Sequence, residues 1–176
     1  MCMNLPTYFK SYFKIRNGFT LIELMIVIAV VSIMSGLLLT VLKPGDFLAK
    51  GRDARRTEDM NTLVKALLLA QADGQLTLSS TSSCTDCSSS LGGIGIDGSG
   101  YVKFVVPSGK AGLANFIQVL PLDPTNSGTY VYTYGSDGNN FEINGVLESP
   151  DNASKMTTDG GDDNSFYEVG TSLIIL

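Results

Sequence analysis

Apolar and polar positions divide the chain into stretches with different periods. From Phe19 to Leu42 apolar residues follow one another almost without interruption, and Glu23 is the only charge. At about 1.5 Å rise per residue this run makes a helix of roughly 36 Å, enough to cross a hydrocarbon core of about 30 Å. Pro44 has no N–H for the carbonyl four residues earlier, so Lys43-Pro44-Gly45-Asp46 should break or kink the helix; Gly36 is a second weak point. From Asp46 to Ala72 the pattern becomes amphipathic. Met60, Leu63, Val64, Leu67 and Gln71 recur at i, i+3, i+4 and i+7 along one face, and Gly74 offers a C-terminal stop.

Beyond Gly74 the periods shorten. Residues 75–100 are rich in Ser, Thr and Gly and read as a surface loop. Tyr101–Val106 reads as a strand ended by Pro107, and Leu113, Phe116, Ile117 and Leu120 have the spacing of a short helix over Lys110–Leu120. Alternation predicts strands at Thr129–Tyr134 and Asn140–Ile143, the second extending towards Glu148. They are joined by the turn Gly135-Ser-Asp-Gly-Asn139. Phe166–Val169 and Ser172–Leu176 complete the strand candidates.

Composition then removes several function classes. The chain has no histidine, so a Ser-His-Asp triad is impossible and the commonest general base is missing. Removing Lys10, Lys14 and Arg16 with the N-terminal leader takes the formal net charge from −5 to −8, which argues against general nucleic-acid binding. The acids after residue 111 lie mostly in turns, with no spacing that suggests a shared catalytic cleft. No enzyme is expected.

A carboxylate inside an apolar span costs roughly 2.5–3.5 kcal/mol, so Glu23 calls for a partner or a function. Its setting is specific: a basic leader ends in Gly18, Phe19 follows, and Glu23 lies four residues further on. Gly18-Phe-Thr-Leu-Ile-Glu-Leu24 resembles the class III signal of type IV pilins and of the pseudopilins of type II secretion. The resemblance extends through Leu42-Lys43-Pro44 and Ala49–Asn61 to about the first seventy residues. It implies cleavage between Gly18 and Phe19, N-methylation of Phe19, and Glu23 as the assembly glutamate that pairs with a neighbouring Phe19 amine. The Asp-Gly hairpin and the residues around it are similar to the sheet of major pseudopilins.

Three further groups of residues carry chemistry. Asp159-Gly-Gly-Asp162-Asp163-Asn164 offers oxygens and bendable backbone for a hard cation, and the resemblance to pseudopilins points to structural calcium at Asp159, Asp162 and Asp163. The alternative is a solvated acidic loop held by turn chemistry. Cys84 and Cys87 are an even pair once Cys2 leaves with the leader; a short-loop disulfide is favoured over free thiols. Arg52, Arg55 and Arg56 read as a solvated helix face, with acidic patches on neighbouring subunits as the other reading.

The expected fold is α+β, a long N-terminal helix packed on a small antiparallel sheet. Its sections are a cleaved leader (1–18), a transmembrane assembly helix (19–43), an amphipathic helix (44–73) and a globular sheet domain (74–176). The resemblance implies a structural subunit of a type IV pilus-like filament, with a major pseudopilin as its close alternative. Implied partners are further copies of itself, a prepilin peptidase, an inner-membrane platform with its assembly ATPase, minor pilins, and lipid before assembly. Localisation would be the bacterial cytoplasmic membrane, N-terminus inside, and then an extracellular or periplasmic filament. Counting Lys and Arg does not itself favour that orientation, because Lys43, Lys50, Arg52, Arg55 and Arg56 follow the apolar run. A reading of another class is a membrane-anchored extracellular binding domain that uses the same segment as a plain anchor.

Overall fold

The computed structural model describes residues 18–176, and the cleaved-leader assignment to residues 1–17 lies outside them. The chain divides at Lys43/Pro44 into two compact units. The first contains α1 (Leu21–Leu42), which runs through Gly36 without a break and ends where Lys43 takes a left-handed conformation, φ 39°. The second opens with α2 (Pro44–Ala72), where proline stands at a helix start and its missing N–H is harmless. Gly74, φ 62°, closes α2, as the sequence led us to expect.

Around α2 lie β1 (Thr77–Leu78), β2 (Phe104–Val105), β3 (Thr133–Ser136), β4 (Phe141–Gly145), a 3-10 turn at Pro150–Asn152, α3 (Ala153–Met156) and β5 (Tyr167–Gly170). β1 pairs with β2, and β3, β4 and β5 form an antiparallel sheet in that order. The fold is therefore α+β, as predicted. Met60, Leu63 and Leu67 of α2 are buried in one core with Tyr101, Phe104, Leu113, Leu120, Tyr132, Tyr134, Phe141 and Ile143. The helix comes so close to β4 that a Cβ at Gly145 would sit 3.0 Å from Met60 Sδ.

Several expected elements differ in the structure. Lys110–Leu120 is a series of turns rather than a helix. Leu113 N–H and Leu120 N–H donate to the carbonyls of Ile96 and Ile94, so the segment is tied to a neighbouring loop, and its own bonds make only the short turns at 111–117. Gly109 and Gly112, φ 76° and 62°, also exclude helical backbone at its start. The strand expected at Thr129 begins only at Thr133, because Ser127 and Tyr130 close a turn on each other. Ser172–Leu176 joins no ladder; Ile175 and Leu176 donate their N–H groups to Glu142 Oε2 at 2.6 and 3.1 Å. Within the serine-rich loop, segment 81–89 runs along β3: Thr81 and Ser89 donate to the carbonyls of Ser136 and Tyr132, and Tyr134 to that of Cys87. Cys84 and Cys87 are bridged there.

The largest departure concerns the arginines. Arg56 is fully buried, not solvated. Its Nε and Nη2 grip Asp123 at 2.6 and 3.0 Å, Nη1 reaches Asp53 at 3.0 Å, and Nη2 also reaches Glu148 at 2.5 Å. Asp53 in turn accepts from the N–H groups of Glu148 and Ser149, both at 2.8 Å. Arg52 closes the network on Glu148, and the two arginines, Arg52 first, hold that carboxyl down to about 2. α2 is thereby clamped to the loops at 123–125 and 148–152 by charge-assisted bonds whose geometry a planar fork satisfies and an ammonium does not. Arg56→Ala should destabilise the body by about 3–5 kcal/mol in a denaturant titration, since it strands Asp53 and Asp123 in the interior. Arg56→Lys should recover less than half of that.

Candidate functional site

The residues of the N-terminal motif are set by helix-end chemistry. Thr20 is the N-cap of α1 and Glu23 its third helical residue, and the two exchange bonds as a capping box. Glu23 N–H donates to Thr20 Oγ1 at 3.3 Å, while Thr20 N–H and Oγ1–H donate to Glu23 Oε2 at 2.9 and 2.8 Å. The carboxylate is thus drawn back over the start of the helix, towards Phe19, where the helix dipole also favours a negative charge. Gly18 and Phe19 precede the helix outside regular structure; Phe19 is 88% exposed, and a Cβ built on Gly18 would meet nothing within 4 Å. Among the described residues, the 18–19 bond stands clear of regular structure. Thr20-x-x-Glu23 was a legible capping signal that motif reading alone passes over.

The helix behind this end has no apolar core of its own to enter. Leu21–Leu38 has a mean hydropathy of 2.5, long and apolar enough to cross a membrane, and none of it is buried.

The acidic residues near the C-terminus part company. Asp159 is spent on its own loop, accepting from Gly161 N–H at 3.1 Å and Glu168 N–H at 2.9 Å. Asp163 accepts from Ser165 N–H at 2.8 Å in the same manner. Asp162 has a different setting: its carboxylate gathers with those of Glu142 on β4 and Glu168 on β5, one oxygen of each within 4.8 Å of the others. Glu142 and Glu168 are buried; sequence pattern missed them because each sits in a strand like any alternating residue. Glu142 Oε1 and Asn144 Oδ1 are buried with no hydrogen-bond partner. Burial first, and then the bond to Glu142 and its charge, push the Glu168 carboxyl up to about 7. An all-oxygen set with orphaned acceptors fits a hard divalent cation better than it fits a closed polar core.

Residues 13–39 match a family model, the prokaryotic N-terminal methylation motif. The chain carries a class III, type IV pilin-like signal. No curated protein and no solved structure matches the chain.

That signal supports a type IV pilin- or pseudopilin-like precursor, and it implies processing by a prepilin peptidase and assembly into a pilus-type filament. The capping box separates two roles of Glu23. Glu23→Gln keeps a side chain able to close the box and removes the charge, whereas Glu23→Ala removes both. If the charge does the work, both variants should insert into membranes and both should lose sheared filament. Filaments from Glu23→Gln but not from Glu23→Ala would instead assign the residue to helix capping.

Proposed function

We propose that the chain is the structural subunit of a type IV pilus-like filament, held in the cytoplasmic membrane with its N-terminus inside until Gly18–Phe19 is cut. The observation that carries this reading is the unburied apolar segment Leu21–Leu38 of α1 with Glu23 in its first turn, four residues after Phe19. Lipid covers such a helix in the precursor. In a filament the helices of other copies cover it, and the new amine of Phe19 gives Glu23 of a neighbour a partner away from water. Platform, ATPase and minor subunits belong to this reading as the machinery that extracts and stacks the copies. The same chemistry serves a major pseudopilin of type II secretion. No catalytic role is assigned, and a plain membrane anchor for a binding domain is the contrasting outcome.

Intact mass and N-terminal sequencing of the protein sheared from its native cells test this directly. A chain beginning at Phe19 with one added methyl is expected. A chain that retains Met1, or is cut well inside the apolar run, would leave the plain anchor.

Calcium belongs to the same reading as a structural ion at Glu142, Asp162 and Glu168, with Asn144 beside them, rather than at the expected trio Asp159, Asp162 and Asp163. The buried Glu142 Oε1 without a partner favours it. Without the ion, the raised Glu168 pKa makes stability fall as pH rises from about 4.5 to about 7, because the unfolded carboxyl gives up its proton first. Millimolar calcium should raise the melting temperature at pH 8 and have much less effect at pH 5. Glu168→Gln should flatten the pH dependence and abolish the calcium shift; no shift in the native chain at pH 8 would remove the ion.

A further inference from the structure

α2 carries two unlike exposed features. Near its start lie Asp46 and Phe47, both exposed, Phe47 at 61%. Lys50, held by Asp151 at 2.5 Å, also lies over the Phe47 ring at 5.7 Å from its centroid, and Phe47 would leave that contact on docking. Further along, the Arg55 side chain is 69% exposed and, among the described residues, has a single long 3.6 Å ion pair, with Asp59, which also accepts from Tyr132 OH. Arg55 stands at the lip of an open hollow of about 460 Å³ lined by Ile94, Ile117, Val119 and Leu122. Ile94, Val119 and Leu122 are exposed there. A cavity of roughly 150 Å³ accommodates benzene, so this hollow has room for a phenyl ring. Grouped exposed apolar side chains with a charge at the rim mark a contact surface, whereas scattered ones do not.

We propose that this hollow receives Phe47 of a second copy of the chain, with that copy's Asp46 against Arg55. The inference rests on the filament reading above. Acid and ring are adjacent in one feature, and Arg55 and the apolar hollow in the other; Asp59 also lines the hollow, so the incoming Asp46 would replace it as the partner of Arg55. Asp46 and Arg55 are nine residues apart, two and a half turns, which places them on opposite sides of α2 and about 13 Å apart along it. Copies related by a filament axis keep their α2 helices in the same sense. Each can then give Asp46–Phe47 to one neighbour and its hollow to another, a head-to-tail contact that propagates without closing. Residues 46 and 47 also follow the α1 segment directly in sequence, so the contact continues the interface that the helices begin.

A charge exchange tests the contact in cells that make the filament. Asp46→Arg and Arg55→Asp alone should each lower sheared filament yield at least several-fold with membrane insertion unchanged, and the double exchange should restore it. In mixed cells, subunits carrying Phe47→Cys should crosslink to subunits carrying Val119→Cys. Single variants that assemble normally, a double exchange no better than the singles, or absence of the mixed crosslink in intact filaments would overturn the contact alone. A native chain that forms no filament would overturn the filament reading and the contact with it.

Discussion

Everything in this protein follows from an apolar helix that none of the described residues buries. Leu21–Leu38 exposes bulky aliphatic side chains on all sides, and no arrangement of a single helix hides them from water. At roughly 25 cal/mol per Å² of apolar surface, leaving such a helix in water is prohibitive, so it must be in lipid or among other helices. Both surroundings are equally apolar, and moving between them changes little hydrophobic free energy. Selectivity for a filament over lipid would then come from a polar term, and Glu23 is the only charged side chain within the apolar run.

The second unit solves a different problem, which is to be rigid with a modest core. α2 contributes Met60, Leu63 and Leu67 to that core, but its first half is attached by Arg52, Asp53 and Arg56 instead of by apolar side chains. Polar attachment is directional. It fixes where the loops at 123–125 and 148–152 sit relative to α2, which hydrophobic packing with interchangeable aliphatic groups would fix less strictly.

Legibility in the sequence followed the strength of local signals. The two helices, the stop at Gly74 and the Asp-Gly hairpin were readable because period, proline and glycine act locally. Lys110–Leu120 misled because Leu113 and Leu120 are buried, as a helix would bury them, by backbone bonds to residues 94–96 that no local pattern announces. Arg56 was misassigned although the buried stripe Met60, Leu63, Leu67 runs back at helical spacing through Arg56 to Asp53. A charge on the core stripe of a helix is the readable sign of a buried pair. Of the acidic trio only Asp162 joins the buried pair, since Glu142 and Glu168 come together through strand register, a tertiary fact.

The bridged serine-rich segment has a bearing on how crowded copies behave. Residues 81–89 occupy the free side of β3, and the 159–163 loop lies so near β5 that a Cβ at Gly161 would overlap Glu168. Open strand edges invite ladder pairing between chains at high local concentration, the route to amyloid-like stacking. In the pilus-type filament that the N-terminal signal implies, covered edges of this kind would leave contacts between copies to helix faces and side chains rather than to a shared sheet.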